Sequence, residues 1–221
     1  METNYKMARI EEVCLGKKQA IQHQGETRYS GIFKQPVTAP VAVLAETLEG
    51  DEQVDRRFHG GLDKAIYVYP EQQYSYWQKE LNRGPLKSSF FGENLTVSGL
   101  TDETVCIGDR YQAGSATVIV SQPRIPCFKL GAAAADDTLP AKFLQAGWLG
   151  FYLRVEKTGS LQKGDAFTLI EKATHGISVR KLWEITFTDQ TSSQLATEAM
   201  AELPFLDEGW LKRLRGIAQR E

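Results

Sequence analysis

Between residues 8 and 170 the chain repeats one theme: short, mostly apolar runs cut off by glycine, proline and polar clusters. The runs are Ala8–Leu15, Val41–Leu48, Lys64–Tyr69, Asn94–Val97, Arg110–Gln112, Ala116–Ser121, Gly150–Val155 and Ala166–Ile170. Many short strands punctuated this way predict a mainly β fold, a closed barrel or a sandwich. Ile107-Gly108-Asp109 and Lys163-Gly164-Asp165 each precede a run and read as a repeated hairpin entry, glycine supplying a permissive φ and aspartate a local acceptor. Two helices interrupt the strands. Pro70–Leu81 has proline at a plausible first helical position and Tyr74, Trp77 and Leu81 on one stripe, and Leu139–Gln145 is a shorter candidate.

After His175-Gly176 the period changes. Ser178, Ser192 and Asp207 each precede a segment of helical spacing, the last with Trp210, Leu211, Leu214 and Ile217 on one side. The expected organisation is therefore a β domain over residues 1–172 and three short helices over 177–221. The latter are too few residues to be stable alone, so they are expected to pack on the β domain or form an interface.

Hydrophobic residues at 42% and charged residues at 24% are those of an ordinary globular protein. A net charge of -2 leaves no global basic field, so nucleic acid is not an expected partner. No run approaches the roughly 18 apolar residues that span a bilayer, and the first residues lack a signal-peptide core, so neither a membrane nor export is expected. Three cysteines, none in a C-x-x-C spacing, predict a reducing, cytoplasmic compartment and cannot supply the four ligands of an iron–sulfur cluster.

Three segments carry chemistry. In Gly50–Lys64, Gly60 and Gly61 permit close backbone approach, and Arg57, His59 and Lys64 are donors suited to an anion; a merely solvated loop is the plainer alternative. In Phe90–Leu95, Asn94 can both donate and accept, as reading a heterocycle edge requires, although glycine and asparagine also make ordinary turns. In Ser121–Leu130, two prolines stiffen a loop in which Arg124 and Lys129 flank Cys127, a setting for a thiolate that binds a soft metal. Cys14 and Cys106 lie in strand-like runs and read as packing residues. His23 and His175 sit in polar, turn-like surroundings without an assigned role, and the scattered histidines give no zinc spacing.

Taken together and in order, GDEQ followed by RRFHGGLDKA, then FFGENL, then SQPRIPCFKL resemble the MOSC family, named for the C-terminal domain of molybdenum cofactor sulfurase. The wording of the motifs and the helical tail resemble its YiiM branch, over nearly the whole chain. The resemblance implies a MOSC-type β-barrel with a small C-terminal three-helix unit. It implies molybdenum cofactor, the metal held by a pyranopterin dithiolene and by a protein cysteine whose position Cys127 matches. Arg57, His59, Gly60 and Gly61 match the family's HGG motif and Asn94 its FGEN motif; with Lys64, Ser121, Arg124 and Lys129 they make up the expected cofactor pocket. Leu62 stands where the family often carries proline, a departure confined to a loop. The implied activity is reduction of N-hydroxylated compounds such as hydroxylaminopurine-type bases, R–NHOH to R–NH2. The alternative is a cofactor carrier, storage or sulfur-transfer module without reductase turnover; the lack of a pyridoxal-phosphate desulfurase domain weighs against sulfur transfer. With no iron–sulfur cysteine set and no nucleotide fingerprint, a separate reductase protein is the expected electron donor.

Overall fold

The computed structural model describes residues 7–54, 60–188 and 192–220. Its strands are β1 (Arg9–Gly16), β2 (Gln19–His23), β3 (Glu26–Ser30), β4 (Lys34–Val37), β5 (Val41–Val43), β6 (Ile66–Pro70), β7 (Leu95–Ser98), β8 (Arg110–Ala113), β9 (Ala116–Pro123), β10 (Phe151–Lys157), β11 (Gly159–Leu161) and β12 (Phe167–Glu171). The helices are α1 (Tyr74–Glu80), α2 (Phe128–Ala134), α3 (Leu139–Ala146), α4 (Val179–Phe187), α5 (Ser193–Glu202) and α6 (Glu208–Ala218). The chain is mainly β, with a mixed sheet and several helices.

Eight strands form one sheet in the order β12-β8-β9-β10-β6-β7-β1-β4, antiparallel except for the parallel pair β6–β7. All five residues of β6 are buried. One core packs Ile66, Val68, Leu95, Val120 and Phe151, and a second packs Tyr67, Tyr69, Trp77, Phe91 and Phe143. Covering on both sides explains why this segment reads as an unbroken apolar run rather than an alternating one.

The strand order corrects the expectation of a fully closed barrel. β12 and β4 are the ends of the sheet, which curls until β12 meets the start of β1 through the single bridge Arg9–Ala166. Ile10 donates to the Asp165 carbonyl at 2.9 Å and Phe167 to that of Ala8 at 2.9 Å. The pairing stops there because the same margin of β1 is taken by β4 from Val13 to Gly16.

The two echoing turns are the same structure. Gly108 and Gly164 have φ of 87° and 91°, where a side chain would be strained. Asp109 accepts from the Cys106 amide at 2.8 Å, and Asp165 from that of Gln162 at 3.0 Å. Pro70 departs from expectation: it closes β6, and a 3-10 turn (Glu71–Gln73) separates it from α1. Trp77 is fully buried, as its stripe predicts.

Each of the last three helices begins at the residue expected to cap it. Ser178 accepts from Lys181, Ser192 from Leu195 and Asp207 from Trp210, all backbone amides. Most of their buried residues, among them Leu182, Ala199, Trp210 and Leu214, belong to the first core, and Trp183 joins the second. No helix among the described residues is long and apolar enough to cross a membrane.

Asp102 ties α4 to the start of β10. Its carbonyl accepts from Arg180 at 2.7 Å, and its carboxylate accepts from Leu149 at 2.7 Å and Gly150 at 3.0 Å, while Oδ1 has no partner. Burial pushes this carboxyl from its ordinary 3.8 up to about 6, against the opposing pull of its hydrogen-bond donors. The folded protein therefore binds the proton more readily than the unfolded chain. The stability this group contributes is present below about pH 4 and lost as pH rises towards 6. Asp102→Asn, which keeps one acceptor oxygen, should gain on the wild type across that window, by on the order of 3 kcal/mol. Urea unfolding of both proteins at pH 4 and pH 7 measures this; parallel pH dependence would contradict it.

Candidate functional site

The three chemistry-bearing segments converge at one end of the sheet. Pro123 closes β9, and the loop after it runs to Cys127, which is extended (φ −133°, ψ 174°) immediately before α2. The sequence predicts that this loop runs on through Leu130, but Phe128, Lys129 and Leu130 open a helix whose buried side includes Leu130. Phe128 stacks on His23 of the β2–β3 hairpin, ring centroids 4.1 Å apart, which fixes the helix start beside Cys127. Cys127 is half-buried, whereas Cys14 and Cys106 are buried, as their strand-like runs predicted.

Two cavities meet at Cys127. The smaller, about 90 Å³, is lined by Lys34, Asp51, Asn94 and Arg124 among others; the larger, a groove of about 920 Å³, runs along α6. Lys64, Cys127, Lys129 and Tyr152 face both. Five expected site residues, Lys64, Asn94, Arg124, Cys127 and Lys129, are thus brought together around the smaller cavity. Gly60, Gly61 and Ser121 line neither. Arg57 and His59 lie outside the described residues.

Gly61 and Ser121 act on the site through the turn that carries Lys64. Gly61, at φ 90° and ψ 176°, starts the 3-10 turn Leu62–Lys64. Ser121 Oγ lies 2.6 Å from the Asp63 carbonyl, Arg154 Nε donates to Asp63 Oδ1 at 2.6 Å, and Lys64 Nζ pairs with Asp207 Oδ2 at 2.8 Å. Asp207 therefore has a second role besides capping α6, since Gln122 Nε2 also donates to its Oδ2 at 3.0 Å. One carboxylate joins the Lys64 turn, the end of β9 that leads into the Cys127 loop, and the tail.

Asn94 makes its bonds inside the protein. Its Oδ1 accepts from the Tyr67 amide at 3.1 Å, and its Nδ2 donates to the Cys14 carbonyl at 3.3 Å and to Asp51 Oδ2 at 3.0 Å. Asp51 Oδ1 also accepts from the Gly16 amide at 2.6 Å and from Lys34 Nζ at 2.5 Å. Lys34 and Asp51 form a buried ion pair, 8% and 3% exposed at the side chains. Burial lowers the pKa of Lys34, and Asp51 opposes that shift. Asp51 sits in a segment that the sequence singles out, whereas nothing in the sequence marks Lys34. The fold packs tightly here: a Cβ on Gly92 would come 2.4 Å from Ile32 Cγ1.

Lys34→Met leaves a buried carboxylate without its cation. The expected cost is about 3–5 kcal/mol in denaturant unfolding, with a smaller loss in Lys34→Met/Asp51→Asn. A single variant within about 1 kcal/mol of wild type would show that the pair behaves as a solvated one.

Arg124 and Lys129 form no ion pair with an acid among the described residues. Arg124 is 6% exposed, donates to the Phe91 carbonyl and lies over the Tyr67 ring at 4.6 Å. Glu93 is fully buried, bonded to the Tyr74 hydroxyl, to Thr96 Oγ1 at 3.2 Å and to the Phe91 amide at 3.2 Å; burial raises its pKa. Its place is to hold the Phe90–Asn94 turn from beneath, which a sequence cannot distinguish from a solvated glutamate. Among the described residues no three His, Cys, Asp or Glu side chains converge on a metal position.

Residues 55–168 match the family model of the MOSC domain. The chain belongs to the MOSC domain family. It is 41% identical over 196 residues to the uncharacterized protein YflK of Bacillus subtilis (strain 168), covering 89% of this chain and 88% of that one. It is 34% identical over 181 residues to a protein of Gibberella moniliformis named Reductase, covering 80% of this chain and 32% of that longer protein. The crystal structure of YiiM from Geobacillus stearothermophilus superposes with a TM-score of 0.78 at 32% identity, covering 95% of this chain and 98% of that one. The MOSC match contains the Gly60-Gly61 turn, the Phe90–Leu95 segment and the Cys127 loop, while Lys34 and Asp51 of the smaller cavity precede it. The wall formed by α6 is added from beyond it.

Proposed function

We propose that this chain is a molybdenum-cofactor-dependent reductase of N-hydroxylated compounds, converting R–NHOH to R–NH2 with two electrons and two protons and releasing water. One observation carries the reading: Cys127, half-buried, stands where two cavities meet, beside two cations that no carboxylate among the described residues neutralises. A soft sulfur donor next to an unneutralised anion receptor fits a group that brings both metal and phosphate. The protein supplies one thiol and no cluster of further ligands among the described residues. In this reading a metal held by Cys127 takes its other donors from the pyranopterin dithiolene.

In this reading Cys127 Sγ ligates the metal, and Arg124 and Lys129 face the anionic part of the cofactor. Asn94 and Asp51 stiffen the wall behind them. The bound cofactor supplies two-electron chemistry at the metal. Tyr152 faces both cavities, and burial raises its pKa, so its hydroxyl keeps its proton at neutral pH beside Cys127. In this reading the curled sheet is the MOSC-type barrel left open apart from the bridge near β12 and β1, and the last three helices share its core. A separate reductase protein delivers the electrons, in a reducing cytoplasm.

The test is metal analysis and pterin fluorescence on gently purified protein, followed by turnover of N6-hydroxylaminopurine with reduced viologen. Molybdenum, pterin and catalytic turnover together are the expected result. Stoichiometric release of cofactor to an apo-enzyme, without turnover, would replace this reading with a carrier.

A further inference from the structure

The hairpin of β2 and β3 is explained by neither core. It is a two-stranded sheet outside the eight-stranded one, and most of its residues are exposed. Ile21 is buried yet belongs to neither core. A lone two-stranded hairpin is marginally stable at best, so its contacts with the rest of the protein decide whether it is ordered.

Those contacts are specific. At the base, a Cβ on Gly16 would overlap the Gly31 carbonyl oxygen, and one on Gly31 would overlap that of Glu52. Three stretches of backbone thus touch with no room for a side chain. The Glu52 amide donates to the Gly16 carbonyl at 2.9 Å, and the Glu52 carboxylate accepts from the Lys18 amide at 2.8 Å. Ser30, Gly31 and Ile32, where the chain leaves the hairpin, line the smaller cavity. At the tip, Gln24 and Gly25 turn the chain in two residues, both at positive φ (50° and 78°). That turn sets the register, His23 opposite Glu26 and Ile21 opposite Arg28. His23 and Ile21 therefore share one face of β2, and the element β2 packs on is α2.

His23 meets α2 at its less secured end. The helix has seven residues, and Cys127, at its cap position, makes no side-chain capping bond. The middle of the helix is held hard against the turn that follows it, since a Cβ on Gly131 would come 3.0 Å from the Asp136 carbonyl oxygen. Leu130 anchors the buried side in the second core. Two residues earlier, on another side of the helix, Phe128 is stacked under the His23 imidazole, with 4.1 Å between centroids and 21° between planes. An uncapped first turn frays readily. Fraying here would rotate the peptide between Cys127 and Phe128 and swing the Cys127 side chain with it.

We infer that His23 is a positioning residue for Cys127: the β2–β3 hairpin is an arm that, through the His23–Phe128 stack, fixes the first turn of α2 and so the direction of the sulfur where the two cavities meet. This rests on the reading of Cys127 as the metal ligand and adds the residue that aims it. His23 acts through Phe128, without contact to cofactor or substrate. A flat ring is what the position requires, so phenylalanine should replace histidine there and alanine should not.

The test measures the thiol itself in full-length, cofactor-free protein. Alkylation by iodoacetamide is followed by mass spectrometry on the peptide that carries Cys127, with the buried Cys14 and Cys106 as internal references. His23→Ala should speed alkylation of Cys127 by about three- to tenfold, the population change that loss of one stacked ring pair corresponds to. His23→Phe should stay within about twofold of wild type. Tyr29→Ala, opposite Ala20 on the other face of the same hairpin, should leave the rate unchanged. In cofactor-loaded protein at equal molybdenum content, His23→Ala should lower kcat and leave KM in place, and His23→Phe should restore kcat. An unchanged alkylation rate in His23→Ala would overturn the assignment. So would His23→Phe reacting as fast as His23→Ala, or Cys14 and Cys106 speeding up in parallel, which would mark a general loosening of the fold. The expected alkylation pattern with no turnover by any of these proteins, wild type included, would instead sink the reductase reading and leave the positioning role standing.

Discussion

Cys127→Ser is expected to fold as the wild type does and to lose reduction of hydroxylamino substrates by at least about 100-fold, since even an outer-shell change at a metal site costs 10–100-fold. The substitution exchanges a soft thiolate for a hydroxyl that stays protonated at neutral pH. Cofactor content should fall less than activity, because in the proposed reading Arg124 and Lys129 hold the anionic part of the cofactor independently of the sulfur. The two other thiols serve as controls. Burial, reinforced by Glu93 and Glu12, pushes the Cys14 thiol up to about 12, and burial also raises that of Cys106. Cys14→Ser and Cys106→Ser should keep turnover while losing about 1–3 kcal/mol of stability to a buried, poorly paired hydroxyl. The comparison is made at equal molybdenum occupancy with an artificial donor. Near-normal turnover by Cys127→Ser would remove it as the ligand.

Deleting residues 177–221 should do more than lower stability. The sequence predicts three short helices that pack on the β domain or form an interface. The structure makes them part of the main core and of the site. Val179 donates to the Val105 carbonyl at 2.9 Å, Trp183 Nε1 to that of Leu144 at 2.8 Å, and Arg180 Nη1 to that of Ala146 at 2.8 Å. Truncation strips these contacts, uncovers the sheet's core and frees Lys64 from Asp207. The expected outcome is a loss of the cooperative thermal transition together with dye binding to exposed apolar surface. A truncated protein that melts sharply near the wild-type temperature would show that the tail is dispensable to the fold.

The fold was legible where one physical rule acted alone. The caps at Ser178, Ser192 and Asp207 and the paired turns at Gly108 and Gly164 follow from local chemistry, and each is found. The β2–β3 hairpin was not seen, because most of its residues are exposed and no apolar alternation marks it. The extent of sheet closure was equally hidden, since it depends on β4 competing with β12 for one strand margin. At the site, the loops announced themselves by composition and order, and Cys127 by its stiff cationic setting. What each residue does there depended on partners far along the chain. Asn94 has the donor and acceptor expected of a heterocycle reader but spends them on Tyr67, Cys14 and Asp51. Lys34 and Glu93 owe their character to burial, which a single sequence does not display.

The pairing of β1 also sets an order in time. Ile10 pairs with Val97 on one side and bonds to Gly164 and Asp165 on the other. At a synthesis rate of about 5–20 residues per second, Ile10 leaves the ribosome roughly 8–30 s before residue 166. Throughout that interval Ile10 and Val13, both fully buried in the finished protein, have no complete sheet to join. The seam is therefore among the last parts of the sheet to form on a nascent chain. A ribosome stalled before residue 164 would present β1 as an unfinished edge, open to chaperones or to a second chain.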